Sequence, residues 1–314
     1  MRIVILHNKK VQMIWGNLIM KKLVSFLVFI LLIGLLSGCA EENKETSEKE
    51  ETTKQTLKIG AIPDQDVSVL SRSMGEVADY LSAETGLEVE YVPSVDYAAL
   101  VTAFERGEIQ LAWFGGLTGV QARSLVPDAE AIAQRPRDEE FHSVFIAQKE
   151  LGLTSLSDLK GKSFTFGSES STSGHLMPRY YLMEEGIDAD QDFNGKPSYS
   201  GSHDKTYKLV ESGAYQTGAL NEAVWEAAVA EGKVDTNKVD VFYTTPAYYD
   251  YHWTINTLEG YDSDVKQKIT DALLSMGSEQ QTILDLFQTD KFIETKNENY
   301  EAIEKVAKQI GIIK

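Results

Sequence analysis

The chain has 314 residues and a formal charge of −18, from 48 acidic and 30 basic side chains. Such a balance lacks the basic residues that supply most nucleic-acid affinity, and so excludes DNA and RNA as partners. It does not exclude a small anion, which oriented amides inside a cleft can hold against the overall field. The length suits one large domain or two medium ones.

The first 38 residues do not read as fold. Leu23 to Leu36 is an uncharged apolar run of 14 residues, preceded by Lys21-Lys22 and followed by Ser37-Gly38-Cys39. A basic flank, an apolar core too short for an ordinary spanning helix and small residues at its end make an export signal. Residues 1–38 are read as that signal, with Met20 as the true start because Met20-Lys21-Lys22 already supplies the basic flank. Residues 39–56 are read as a lipidated Cys39 followed by a disordered tether, since Ala40 to Thr56 carries no large apolar side chain. Cys39 is the only cysteine in the chain, so it has no partner for an intramolecular disulfide. Loss of residues 1–38 removes five basic side chains and leaves a charge near −23.

The body begins with Leu57 to Pro63, a strand ended by proline. Val67 to Thr85 has helical periodicity, with Leu70, Met74, Val77, Ala78 and Leu81 on one face and Gly86 as its stop. Leu87 to Val92 alternates as a strand, Tyr97 to Arg106 is a helix closed by Gly107, and Ile109 to Phe114 is a third strand ending at Gly115-Gly116. This is the βαβαβ pattern of a parallel sheet, whose ligand crevice lies beyond the carboxyl ends of the strands. Val120 to Leu125 is a short helix, and Ala129 to Gln134 a fourth strand.

A second unit follows. Phe141 to Gln148 is a strand, Leu156 to Leu159 a turn of helix, and Ser163 to Phe166 a strand that empties into Gly167-Ser168-Glu169-Ser170-Ser171-Thr172-Ser173-Gly174. A helix then runs to Glu185, closed by Gly186. Strand, hydroxyl-rich turn and helix direct free amides and hydroxyls at one spot, which suits an anion. A plain helix cap is the alternative, although it needs only one hydroxyl. Pro197 to Ser200 reads as a weak strand leading to Gly201-Ser202-His203-Asp204, and Lys205 to Ser212 as a helix. Tyr215 to Leu220 is strand-like, Glu222 to Ala230 a helix, and Val239 to Tyr243 a strand. Tyr243 to Trp253 holds five aromatics (His not counted) in eleven residues, interrupted by polar groups and Pro246. It reads as a crossover lining a cleft, with a domain interface as the alternative. Asp262 to Ile313 is almost entirely helical in pattern.

Several of these runs carry a resemblance: Val95-Asp96-Tyr97, Gly115-Gly116, Ser171-Thr172-Ser173-Gly174 and Gly201-Ser202-His203-Asp204, behind a lipobox-like Leu36-Ser37-Gly38-Cys39. Together they resemble the phosphonate- and phosphite-binding extracytoplasmic proteins of ABC importers, from about Leu57 to Tyr261 and more loosely beyond. Ala112 to Gly116, Phe141 to Phe145, Ser173 to Tyr180 and Phe242 to Trp253 further resemble the branch labelled selenate-binding. The resemblance implies an α/β protein of two Rossmann-like lobes with a ligand cleft between them, of the type II periplasmic-binding-protein kind, and a helical C-terminal section. Lobe 1 is expected over residues 57–140 plus 251–314, and lobe 2 over 141–250. It also implies an oxyanion held by Tyr97 on one lobe and Ser171, Thr172, Ser173 and His203 on the other. Ser170, Asp204 and Tyr249 are further candidate contacts, and His142 and His252 either touch the ligand or orient the cleft aromatics. The expected partners are a permease with its ATPase and, through the lipid, a membrane; no metal or cofactor is expected, and the protein is read as a monomer.

One residue departs from the family's pattern. Where many relatives place a carboxylate, this chain has Asn221. An amide removes a charge that would repel a fully deprotonated dianion, which shifts the expectation toward selenate or sulfate without excluding phosphite. Asp204 stands close enough in sequence to replace the missing acceptor.

The alternative is a hydrolase of a phosphorylated or sulfated small molecule, with Ser171, His203 and Asp204 as its relay. Against it, the chain has no Gly-x-Ser-x-Gly elbow, no cysteine in the body and no metal-ligand spacing among its histidines. The anchoring expectation has a direct test. Cys39→Ala releases the protein from membranes or leaves an unprocessed precursor, scored by detergent partitioning. A variant still recovered as a processed lipoprotein places the lipid elsewhere.

Overall fold

The structure, a computed structural model, describes residues 55–314. The export signal, the Met20 start, Cys39 and all but the end of the tether lie outside the described residues.

Strand β1 (Leu57–Ala61) buries four of its five residues. The turn after it ends in Asp66, whose carboxylate accepts from the amides of Ser68 and Val69 at 2.9 and 3.1 Å and so caps helix α1 (Val67–Thr85). The face that α1 buries is the one its periodicity predicts, with Ser73 added. Strand β2 (Val89–Tyr91) leads to α2 (Tyr97–Glu105), capped by Asp96 through the Ala99 amide at 2.7 Å. Then come β3 (Leu111–Phe114), buried throughout, α3 (Gly116–Leu125) and β4 (Glu130–Gln134).

The second half contributes β5 (Ser143–Gln148), β6 (Phe164–Phe166), α4 (Met177–Glu184), β7 (Ser198–Tyr199), α5 (His203–Glu211), β8 (Thr217–Asn221), α6 (Glu222–Ala230) and β9 (Val239–Thr244). The chain then returns with β10 (His252–Ile255), α7 (Val265–Ser275), α8 (Gln281–Leu286), β11 (Ile293–Glu294) and α9 (Glu301–Gln309).

These strands form two mixed sheets, ordered β11-β4-β10-β3-β1-β2 and β7-β6-β8-β5-β9. Setting β11 aside, the two share one plan. Each runs second, first, third, visitor, fourth, and the visitor is the strand that has just crossed from the other lobe. Both visitors, β10 and β5, lie antiparallel to both of their neighbours. This is the two-lobed α/β architecture of type II periplasmic binding proteins. Period-two alternation divides the core of the second lobe: Val144 and Ile146 of β5 pack with Tyr207, Val210 and Leu220, while Phe145 packs with Phe164, Phe166 and Leu182 on the other face.

The two crossing segments, 135–142 and 245–251, are bonded to each other. Phe141 and Tyr248 exchange backbone hydrogen bonds at 2.9 and 3.0 Å, and the Asp250 amide donates to the Asp138 carbonyl at 3.1 Å. Here the structure corrects the aromatic stretch. Phe242 and Tyr243 belong to β9, only 245–251 cross, and His252 and Trp253 open β10 in the middle of the first sheet. Trp253 is fully buried among Trp113, Phe287 and Phe292, because the visitor strand is covered on both faces. The C-terminal section is also less helical than its pattern predicts: Ile293-Glu294 pair antiparallel with β4 at the sheet edge. Two residues are too short a run for periodicity to register.

One glycine is demanded by close approach. A Cβ on Gly119 of α3 would stand 2.2 Å from His252 Nε2 and 2.4 Å from its Cε1. That ring is fully buried and hydrogen-bonded through both nitrogens, so it cannot yield. Alanine would gain about 1 kcal/mol of helix propensity, but overpacking costs about 1–3 kcal/mol. With approaches this close the cost falls in the upper part of that range, so Gly119→Ala lowers stability by about 1–2 kcal/mol in urea unfolding. A variant as stable as the parent would show that the ring has room to move.

Candidate functional site

Side chains from both lobes and from the crossing segments meet at the carboxyl ends of the central strands. From the first lobe, β1 runs into Asp64 and the start of α2 presents Tyr97. From the second, β6 runs into the hydroxyl-rich turn, and His203 opens α5. Asp250 and Tyr251 come from the second crossing. All are buried.

The turn is more tightly wound than a helix start. Ser171 caps it by accepting from the Gly174 amide at 2.9 Å, and Thr172 to Leu176 form a π-turn before α4 begins. Glycines at 167 and 174 let its two sides touch, with the Gly167 amide donating to the Gly174 carbonyl at 2.8 Å. Thr172 reaches the other lobe, where its hydroxyl accepts from the Leu117 amide at 3.0 Å. Among the described residues the Ser173 hydroxyl has no partner, and the Tyr97 hydroxyl, with Ser171 as its neighbour, makes no well-formed bond, although both are buried. A buried polar atom left alone costs about 1–3 kcal/mol, so both hydroxyls are suited to a polar ligand.

His203 and Asn221 bind the lobes together. The His203 amide donates to the Asp64 carbonyl at 2.9 Å, and its ring Nδ1 accepts from the Asn221 amide at 3.3 Å. A neutral ring that accepts at Nδ1 carries its proton on Nε2, which stands 3.4 Å from the Tyr251 hydroxyl. Burial holds the imidazole neutral by lowering its pKa to about 4. Asn221 caps α6 with its Oδ1 and donates its Nδ2 to Tyr251 Oη at 3.0 Å; that hydroxyl donates onward to Asp64 Oδ2 at 2.9 Å. Arg135 lies 5.0 Å above the Tyr251 ring and forms a buried bidentate pair with Asp138, 2.7 Å at each contact.

Two acids had no role in the sequence reading. Burial pushes Asp64 up to about 6, against the Tyr251 hydroxyl and Arg135. It pushes Asp250 up to about 7, against the Gly116 amide, 2.8 Å from Oδ1, and the Thr172 hydroxyl. Asp250 Oδ2 is buried without a partner. Asp64, directly after Pro63, has the sequence look of a turn residue, and Asp250 lies among aromatics. The one available signal was Asp64's place just past the first strand's carboxyl end.

Five further positions lie differently. Asp204 accepts from Ser202 Oγ at 2.6 Å and approaches Lys208 at 3.7 Å on the open side of the cleft. It therefore neither replaces a missing acceptor at Asn221 nor orients the His203 ring, as a hydrolytic relay would require. Ser170 turns its amide to Ser168 and borders a surface depression with Gln121 and Lys308. His142 is half-buried in the crossing, its Nδ1 2.7 Å from the Thr245 carbonyl. Tyr249 packs on Tyr300, and both His252 nitrogens are bonded, to Arg123 and to the Asp250 carbonyl. Among the described residues, no group of three His, Cys, Asp or Glu side chains is placed to hold a metal ion.

A two-lobed fold closed over unpartnered donors and acids defines a binding protein for a small polar solute, and comparison with known proteins gives the class. Residues 59–300 match the family described as the periplasmic substrate-binding protein of the phosphonate ABC transporter, and the chain belongs to that family. It is 41% identical over 272 residues to a probable ABC transporter phosphite-binding protein, PhnD1, of Prochlorococcus marinus (strain MIT 9301), covering 83% of this chain and 91% of that protein. The solved structure of PhnD1 in complex with methylphosphonate superposes with a TM-score of 0.79 at 40% identity, over 82% of this chain and 99% of that one. A binding-protein component of an ABC phosphonate transporter from Pseudomonas aeruginosa shares the fold at 20% identity and a TM-score of 0.72, over 81% and 85% of the two chains. Proteins of this family are non-catalytic transport components.

The raised acid has a pH signature. A folded-state pKa near 7 for Asp250, against about 3.9 unfolded, means the folded chain binds more protons between those values, so this group lowers stability as pH rises through the window. Asparagine is neutral throughout. The stability advantage of ligand-free Asp250→Asn over the parent therefore grows by about 1–3 kcal/mol from pH 5 to pH 8, read by urea unfolding. Taking the difference cancels the buried histidines, whose contribution has the opposite sign. A constant difference would mean that Asp250 titrates normally.

Proposed function

We propose that the protein is an extracytoplasmic receptor for a small tetrahedral oxyanion that carries a proton, of the phosphite or methylphosphonate type, and that it delivers this solute to a membrane permease and its ATPase. One observation carries the reading. Two buried hydroxyls, Tyr97 and Ser173, and the Oδ2 atom of Asp250 make no well-formed hydrogen bond to any described residue, and the Asp250 charge helps to raise the Tyr97 phenol. A deprotonated oxygen satisfies the first two and a P–OH satisfies the third. In this reading His203 Nε2–H is a third donor, Ser171 and Thr172 shape the turn, and Asn221 acts through Tyr251.

The same acids argue against the selenate expectation. That leaning took Asn221 to mean a site without a carboxylate, yet Asp64 and Asp250 stand in it. Selenate and sulfate carry no proton at neutral pH, and their charge would face both acids in a site closed from water. Phosphate-type groups, with a second pKa near about 6, can supply the proton. The phosphite-binding relative and the methylphosphonate complex favour the same ligand class. The lipid on Cys39, the tether over 39–56, and the lobes as 57–140 plus 251–314 and 141–250 complete the proposal.

Tyr97→Phe and Ser173→Ala each weaken phosphite binding at least about tenfold, since a hydrogen bond to a charged group is worth about 1.5–3 kcal/mol. Neither lowers the melting temperature of the ligand-free protein, because neither hydroxyl has a well-formed bond to lose. Calorimetric titration with phosphite, methylphosphonate, sulfate and selenate measures the first claim and ranks the ligands. A parent protein that takes selenate tightly and refuses phosphite would overturn this reading.

A further inference from the structure

Two buried histidines outside the cradle share one arrangement. His175 lies behind the hydroxyl turn: Arg179 Nε donates to its Nε2 at 3.0 Å, and its Nδ1 stands 2.7 Å from the Glu169 carbonyl. His252 lies in β10 behind Asp250: Arg123 Nη1 stands 2.6 Å from its Nε2, and its Nδ1 is 2.9 Å from the Asp250 carbonyl. A guanidinium can only donate and a carbonyl can only accept. In both rings, then, Nε2 must accept and Nδ1 must carry the proton, so each ring is neutral and fixed in one tautomer. The two are on different lobes and on unrelated elements, one in a π-turn and one in a strand.

We propose that His175 and His252 are paired positioning residues, each a strut that transmits the placement of a half-buried arginine to a backbone carbonyl of the oxyanion cradle. Arg179 and His175 hold the Glu169 carbonyl and, with it, the turn that carries Ser171, Thr172 and Ser173. Arg123 and His252 hold the Asp250 carbonyl and so aim the Asp250 carboxyl. Neither ring touches the solute.

The surroundings fit this role. Arg179 is itself anchored, with Nη1 on Asp190 Oδ2 at 2.9 Å and Nη2 on the Tyr199 hydroxyl at 3.2 Å. The His175 ring sits edge-on against Phe166 at 5.0 Å and perpendicular to Tyr199 at 5.0 Å. Arg123 lies 5.0 Å over the Tyr300 ring, which in turn lies 3.9 Å from the His252 ring. Gly119 exists at its position so that His252 can come close. Burial keeps both imidazoles neutral, lowering His175 to about 4 and His252 well below the usual value, so each can go on accepting from its arginine.

This inference rests on the cradle being the oxyanion site, and its first test is independent of any ligand. Long-range proton–nitrogen correlation spectra of the ligand-free protein, labelled at histidine nitrogen, report the tautomer of each ring at neutral pH. The expected pattern is Nδ1–H for His175 and His252 and the opposite, Nε2–H, for His203, whose Nδ1 accepts a backbone amide. Either strut ring found protonated at Nε2, or doubly protonated, overturns the proposal whether or not phosphite binds. The second test removes one strut at its far end, avoiding a hole beside the cradle. In Arg179→Met, His175 loses its fixed Nδ1–H signature and phosphite affinity falls about five- to twentyfold, while the His252 signal is unchanged. His175→Asn, whose amide can still donate to the Glu169 carbonyl, retains more affinity than His175→Phe. Affinities equal to the parent's in both Arg179→Met and His175→Phe would show that the rings merely fill space. A parent protein that shows the expected tautomers but binds no phosphite leaves the strut geometry standing and removes the ligand assignment instead.

Discussion

The closed site is governed by an excess of buried acid. Asp64, Asp138 and Asp250 are all taken out of water, and among the described residues only one guanidinium, that of Arg135, is buried with them. Arg135 is committed to Asp138 through both ends of its fork and spends its remaining contact on the Phe287 carbonyl at 2.9 Å. Asp64 and Asp250 are left without a paired cation. A carboxylate in that position costs several kcal/mol unless it takes up a proton or meets a donor. Asp64 meets one, the Tyr251 hydroxyl. Asp250 meets the Gly116 amide with one oxygen and nothing with the other. In the proposed function, that unmet oxygen is what would favour a solute carrying a proton over one without.

That constraint needs a closed structure, and the topology supplies it cheaply. Because each sheet takes its antiparallel strand from the other lobe's end of the chain, the connections between lobes are two short, mutually bonded segments and not a long linker. Asp250 lies on one of these segments, so its carboxyl stays near the axis about which the lobes would move. Tyr97 and Asp64 come from one side and Ser173 and His203 from the other. Groups from both lobes can act on one solute only when the lobes are together, which is how binding energy can favour the closed form.

Much of this was legible in the residues. The strand and helix order of both lobes, the hydroxyl turn, Tyr97 at a helix start and His203 at another all follow from periodicity, caps and glycine stops. What was not legible depended on pairing between distant segments. Nothing local distinguishes β10 from an aromatic loop; His252 and Trp253 are a strand because β3 and β4 flank them. Asp64 and Asp250 look like turn residues until burial raises their proton affinity, and burial is a property of the whole fold. The π-turn at Thr172 likewise follows from two glycines, 167 and 174, meeting across a loop, a contact that sequence spacing alone does not announce.

Asn221 shows most clearly how a residue's role can change once its partners are known. Taken alone, an amide in place of a carboxylate looks like a reader of ligand charge. Its Oδ1, however, is used by the Val224 amide at the start of α6, which fixes the side chain's orientation and leaves only Nδ2 free to face the site. Nδ2 donates to Tyr251 Oη, so that hydroxyl must send its own proton on to Asp64. The direction of every bond in this chain is therefore set by a helix cap on the second lobe, and the chain ends on a first-lobe acid. A carboxylate at 221 could serve the cap equally well but could not donate to Tyr251, and the hydroxyl would then be drawn between two acids. The amide thus belongs to the latch between lobes, and in the proposed function the reading of the ligand's proton falls to Asp250.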